Sequence, residues 1–504
     1  MRTKRAQVLL PSVLLVGVVV LISPSWAEEP NAESLYLSGH FKEAIPLLRA
    51  SAAAKPEDPV PAAYLLTSLV NDGGLSDAED LNDQLAGKFP ESSDVLAARG
   101  DLAFYRGDMG QAQKLYVQAL KVREANAHAH YGIYRLFRSA SMYATARLHL
   151  LRAYDIDPRE WEIAASWFSL LTPQRRKELA GQFKISSGDM NGDEQMAQEF
   201  GMAVANELNG RKTFEPVEPI AETNLHLSIL GDPRSTQGVA LDVSFNGGKP
   251  LRLVFDTGAS GLVISERAAE KAGLKLAGQT EAYGVGEKGA KVVRGAFADT
   301  CKVGPIEYKT CFVQAVEGRN VVEQDGLIGA DFFARYLVTI DFQKLSVHLK
   351  PLPERMPSPQ GYDRIVSDDE KAFTPVFRFG HSLMIPTAVN GKAIGLFLID
   401  TGSSTSIIDS TFALESTKIS ANEYMHVKGV SGESKHVFEA DKAEIQFATF
   451  RQRNLGMTVV DLNNSGKRET VRMSGILGLP VLSMFRLSLD YRNGLVKFDL
   501  IVPH

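Results

Sequence analysis

Leu253-Val-Phe-Asp256-Thr257-Gly258 and Phe397-Leu-Ile-Asp400-Thr401-Gly402 share one pattern: an apolar run that ends in a carboxylate, a hydroxyl and a glycine. A single Asp-Thr-Gly reads equally well as turn chemistry, with Asp capping the turn and Gly supplying a positive φ. Two copies at matching places in a duplication point to two carboxylates built to face each other. Close carboxylates cannot both ionise, so one keeps a proton and the pair offers an acid and a base together.

The duplication extends well beyond these residues. Asn246-Gly247 and Asn390-Gly391 each stand 10 residues before their Asp. Each follows an apolar/polar alternation (Val239 to Phe245; Leu383 to Val389) and precedes a second apolar run. That spacing predicts strand, tight turn, strand, with the Asp at the far end. Downstream, Gly326-Leu-Ile-Gly329 matches Gly475-Ile-Leu-Gly478, and 12 residues later Thr339-Ile-Asp341-Phe342 matches Ser488-Leu-Asp490-Tyr491. Both copies then run into a strand pattern, Leu345 to Leu349 and Leu495 to Phe498. The landmarks keep their order at offsets of 144 to 149 residues, which predicts two homologous β lobes at 223–350 and 373–504.

This arrangement resembles the retropepsin-like and pepsin-like aspartic peptidases, whose hallmark is Asp-Thr/Ser-Gly followed later by two apolar residues and Gly. The resemblance covers a little over half of the chain, and the lobe length is nearer the bacterial retropepsin-like type. It implies an aspartic-type endopeptidase, with Asp256 and Asp400 activating a water against a peptide carbonyl. Thr257 and Thr401 would bond across the lobe interface, and Gly258 and Gly402 would let backbone approach the carboxylates. The Gly-rich segments near 283–291 and 428–435 would be flaps, with Tyr283, Gly284, Gly286, Gly429 and Gly432 as candidates. No cofactor or metal is implied, and the substrate would be a polypeptide. One chain holds both halves, so a monomer could be active; pairing of lobes between chains is the alternative. A non-catalytic peptide-binding or scaffold protein with the same fold is the other reading.

The front of the chain bears on compartment. Arg2, Lys4 and Arg5 precede an apolar run from Val8 to Ile22, and Ser25-Trp26-Ala27 offers a small-x-small cleavage site. This predicts a secretory signal peptide at 1–27 and an exported chain, periplasmic or secreted if bacterial. An uncleaved N-terminal anchor is the alternative; the run is shorter than the ~20 residues of a spanning helix. After cleavage no membrane association is expected. Net charge −5 and pI near 6.1 speak against nucleic acid as a partner. The two cysteines, Cys301 and Cys311, flank a turn at Gly304-Pro305 and could pair in an oxidising compartment, though they are not directly opposite.

Residues 28–171 have another architecture. Ala44, Ala78, Ala112 and Ala146 recur every 34 residues; Gly39, Gly73 and Gly107 stand five before the first three, and Ser141 takes the fourth place. Pro56, Pro90 and Pro158 stand twelve after, with Glu124 as the exception. This register resembles tetratricopeptide repeats, which implies an α-solenoid whose concave groove takes a peptide or protein partner; a helical spacer without a ligand is the alternative. Residues 172–222 read as a helical joint and linker. A Pro-rich segment at 351–372 joins the lobes and is expected to run over the surface.

Three motif matches fail on context. Gly284-Val-Gly286-Glu-Lys-Gly289 is followed by a strand pattern instead of the helix that a dinucleotide site needs. Asp189-Met-Asn191-Gly-Asp193 has Glu194 and Phe200 where a calcium loop needs Gly and Glu. His128 and His130 fall on different sides of a helix and read as ordinary polar positions.

Overall fold

The computed structural model describes residues 31–179, 192–232, 235–282, 291–317, 325–356, 358–422, 425, 427–429, 432–434, 436–463 and 471–501. The expected signal peptide at 1–27, the dinucleotide-like stretch and the start of the calcium-like loop lie outside these residues.

The chain begins as paired helices: α1 (Ala32–Leu37), α2 (Phe41–Ala54), α3 (Pro59–Asp72), α4 (Leu75–Lys88), α5 (Ser93–Tyr105), α6 (Met109–Val122), α7 (Ala127–Ser139), α8 (Tyr143–Ile156) and α9 (Trp161–Ser169). Helices α2, α4, α6 and α8 end 34 residues apart, and the periodic alanines lie buried on them at no more than 1% exposure, where only a methyl fits between neighbours. The periodic glycines do something else. Gly39, Gly73 and Gly107 sit in the turns between paired helices at φ +83°, +84° and +81°, the left-handed conformation that closes a helix; Ser141 adopts it at φ 59°. A charged cluster knits the inner helices. The buried Asp101 carboxylate accepts from Thr67 (3.0 Å), Tyr116 (2.7 Å), His128 and Arg135, and His128 reaches on to Glu160 at 2.8 Å. No helix among the described residues is long and apolar enough to cross a membrane.

Two further helices, α10 (Pro173–Leu179) and α11 (Gly192–Leu208), lead into the β region. Helix α11 lies on the Lys275–Ala282 strand, where Ala203 and Phe200 pack against the bare face of Gly278. The β region is two lobes, a nine-stranded sheet and an eight-stranded sheet, joined by a six-stranded sheet to which both contribute. The twin phrases noted above meet in that shared sheet: Tyr336–Asp341 pairs antiparallel with Phe485–Asp490, Thr339 opposite Ser488 with their hydroxyls 3.0 Å apart. One apolar core runs through both lobes, with Phe255 and Phe333 on one side and Phe397, Phe447 and Phe485 on the other.

The Asn-Gly pairs turn their hairpins as expected. Asn246 and Gly247 have φ 52° and 70°, Asn390 and Gly391 φ 52° and 64°, positive values that Asn and Gly accept at low cost. Cys301 and Cys311 form a disulfide with Cα atoms 6.1 Å apart. The register places Cys311 opposite Ala298, and a kink at Thr310 (φ 54°) interrupts the strand beside it.

The segment joining the lobes runs at the surface and is tied there to the helices and the second lobe. Asp363 accepts from the backbone and hydroxyl of Thr145 (3.0 and 2.6 Å), and Arg364 donates to Ala140 O (2.6 Å) and Asn493 O (2.7 Å). The helices also pack directly on that lobe: Phe104 meets Phe379 edge-on, Gly107 lies against Leu396, and Arg472 N donates to Tyr105 O at 2.7 Å.

Candidate active site

Each Asp ends a strand that is locked from the side. Leu251–Asp256 runs parallel to Gly326–Gly329, with Gly329 beside Asp256; Ala393–Ile399 runs parallel to Gly475–Leu477, and Asp400 N donates to Leu477 O at 3.0 Å. The glycines of this second element are small because the chain passes behind them. A Cβ on Gly329 would lie 2.4 Å from Ala259 O, and one on Gly478 2.2 Å from Thr405 O. The apolar-apolar-Gly signal therefore marks a tight crossing under each Asp loop.

The two loops meet tip to tip. Thr257 N donates to Thr401 Oγ1 (3.1 Å) and Thr401 N to Thr257 Oγ1 (3.0 Å). Each hydroxyl donates in turn to the opposite strand, Thr257 to Ile399 O (2.7 Å) and Thr401 to Phe255 O (2.8 Å). Both threonines are fully buried. An unmade bond here would leave a dry polar group, so the four bonds specify one lobe-to-lobe arrangement.

Beside this grip Asp256 and Asp400 are half-buried, and their carboxyls hydrogen-bond to each other. Such a bond needs a proton on one of them. Gly258 N donates to Asp256 Oδ1 (2.7 Å); Gly402 N and Ser403 N donate to Asp400 Oδ1 (2.8 and 3.1 Å). Burial raises Asp256 above the usual carboxylate range, tempered by these bonds and by His381. Burial and then the charge of Asp256 raise Asp400 much further. The two carboxyls are coupled, so the protons they bind belong to the pair.

The sequence-derived set is thus brought together at Asp256, Thr257, Gly258, Asp400, Thr401 and Gly402. Of the flap candidates, Gly429 and Gly432 face each other as the end pair of a small hairpin, Val427–Gly429 with Gly432–Ser434. Tyr283, Gly284 and Gly286 lie outside the described residues. Three contributors went unread. Asp331 accepts from Ser260 Oγ (3.0 Å) and Gly261 N (2.8 Å), bracing the Asp256 loop; its signal was its place two residues after Gly329. The buried Tyr491 hydroxyl donates to Thr257 O at 3.3 Å, although the sequence uses Tyr491 only as a landmark of the duplication. His381 Nε2 donates to Gly258 O at 3.0 Å, with no sequence signal at all.

Comparison with known proteins agrees with this geometry. The family model described as aspartyl protease matches residues 241–332 and 385–481, once around each Asp-Thr-Gly. The chain therefore carries an aspartyl-protease-like domain. A UBA domain-containing protein, Mud1 of Schizosaccharomyces pombe (strain 972 / ATCC 24843), is 25% identical over 194 residues, 38% of this chain and 55% of that protein. The chain thus spans about half the length of that curated relative. Among solved structures, conglutin gamma, a basic 7S globulin from lupine seeds, is similar over 55% of this chain and 95% of its own at 12% identity; its TM-score of 0.31 is too low to argue from.

Proposed function

We propose that this chain is an aspartic endopeptidase. The observation that carries the reading is the meeting of the Asp256 and Asp400 carboxyls, fixed by the reciprocal Thr257–Thr401 bonds. In this reading a water binds between the carboxyls. The ionised one takes a proton from it as the oxygen attacks the scissile carbonyl, and the protonated one donates to the carbonyl oxygen. The resulting gem-diol collapses when the amide nitrogen takes the dyad's proton and the C–N bond breaks, while one gem-diol hydroxyl gives its proton to the other carboxylate, which restores the shared proton. Fixed amides at both carboxylates mean that little reorganises as charge moves.

Both halves lie in one chain, so the active unit is a monomer in this proposal. The hairpin bearing Gly429 and Gly432 is its lobe 2 flap. The chain is exported after removal of residues 1–27, or held by them as an anchor if they are retained. In this proposal the helices are repeats of the tetratricopeptide kind that contact a polypeptide partner; their packing on the second lobe supports a role coupled to that lobe.

The test is cleavage of an unfolded protein by the chain from Glu28, followed from acid to neutral pH. Cleavage within a bell-shaped pH range supports the proposal. Peptide binding without turnover at any pH replaces it with a binding protein of the same fold.

A further inference from the structure

Lobe 2 sends a histidine to the loop of the opposite lobe. His381 follows Gly380 in the turn between the Phe377–Phe379 and Ser382–Val389 strands, and its Nε2 lies 3.0 Å from the carbonyl oxygen of Gly258. A carbonyl can only accept, so Nε2 carries the hydrogen and Nδ1 is the atom that takes up a second proton. The amide of the same Gly258 donates to Asp256 Oδ1 at 2.7 Å. One peptide link thus separates the imidazole from the carboxylate's own anchor. Among the described residues this bond is seen on the Asp256 side; the duplicated position in the other lobe holds Gln237.

The turn is itself held on several sides. Arg378 Nε donates to Gly380 O at 2.8 Å and its Nη1 to Tyr491 O at 3.0 Å, and Phe379 packs edge-on against Phe104 of α5. The imidazole is half-buried and positioned by contacts that reach back to the helices. Such support suits a group whose placement matters more than its exposure.

We propose that His381 is a positioning residue of the dyad, clamping the Gly258 carbonyl so that the Asp256 loop keeps its geometry. This rests on the peptidase reading above. Tyr491, whose carbonyl holds Arg378 beside this turn, is acted on by Asp331, Asp256, Arg378 and Asp400. The positive imidazole acts on Asp256 in the lowering direction. The dyad loses its first proton on the acid limb of the pH–rate profile, so an influence on Asp256 is read there.

The experiment compares the parent with His381→Gln and His381→Phe. Gln can keep a donor toward Gly258 O without the charge, whereas Phe removes both. The acid limb of kcat/KM should move to higher pH by about half a unit or more in both variants. The maximal kcat should stay within about threefold of the parent in His381→Gln and fall about tenfold or more in His381→Phe. Coincident acid limbs in all three proteins would overturn the proposal. Carboxyl 13C titration of Asp256, assigned by loss of its signal in Asp256→Asn, decides the matter without turnover. A rise on removing the imidazole supports the role and an unchanged titration rejects it, even if the parent proves inactive and the peptidase reading falls.

Discussion

Gly402 lies against the carboxyl of Asp256 so closely that a Cβ there would sit 2.4 Å from its carboxyl carbon; Gly258 stands in the same relation to Asp400, at 2.8 Å. Each lobe therefore supplies the bare backbone on which the other lobe's carboxylate rests. This explains why the third residue of the motif has to be glycine: any side chain displaces the opposite carboxyl. Gly402→Ala should fold with the lobes in place, yet lose at least about a hundredfold in kcat, the scale expected for an ångström of misplacement. Steady-state kinetics beside a thermal melt would check this, and near-parental kcat would refute it.

The raised affinity of Asp400 for its proton has a stability consequence. Its folded pKa lies well above the ~3.9 of an unfolded aspartate. Below that unfolded value both states carry the proton and its contribution to folding is fully present. As pH rises toward the folded value, only the unfolded chain sheds the proton, and the native state loses roughly 1.4 kcal/mol per pH unit from this group. Asn cannot titrate and imitates the protonated form. The melting temperature of Asp400→Asn minus that of the parent should therefore increase from pH 3.5 to pH 7. A difference that is flat or shrinks with pH would show that the carboxyl is not held protonated.

Arg472 gives a handle on the docked helices. It is buried and ion-paired with the equally buried Asp409, which also accepts from Leu462 N and Asn463 Nδ2, while its backbone amide bonds to Tyr105 O. Removing the cation strands a buried carboxylate, a loss on the order of 3–5 kcal/mol. Arg472→Ala should lower the urea midpoint of the unfolding step that includes lobe 2. It should also reduce kcat, because residue 472 leads into the Gly475–Leu477 strand beneath Asp400. An unchanged midpoint would show that the pair contributes nothing.

Much of this was legible in the chain because it is written in local chemistry. Asn-Gly turns, Asp-Thr-Gly loops and the glycines of the tight crossings each carry a backbone demand that few residues meet, and duplication repeats the signal. The 34-residue period located the helices, although it did not show that its glycines close the inter-helix turns by adopting positive φ. What stayed hidden depends on distance in space. Phe104, Leu396 and Arg472 read as ordinary interior residues until the helices are seen resting on lobe 2. His381 sits in an undistinguished turn whose meaning appears only when the lobes face each other. The Cys301–Cys311 bond stayed open in the sequence, because the kink at Thr310 beside Cys311 is not encoded by a recognisable turn residue.

The claim at the centre is that one chain completes one dyad. The direct measurement is proteolysis of an unfolded substrate by the parent, by Asp256→Asn, by Asp400→Asn, and by an equimolar mixture of the two variants. The account predicts an active parent whose rate is proportional to its concentration, two folded but silent variants, and a silent mixture. Cleavage by either variant alone would contradict the shared dyad, and activity restored on mixing would show that the carboxylates pair between chains.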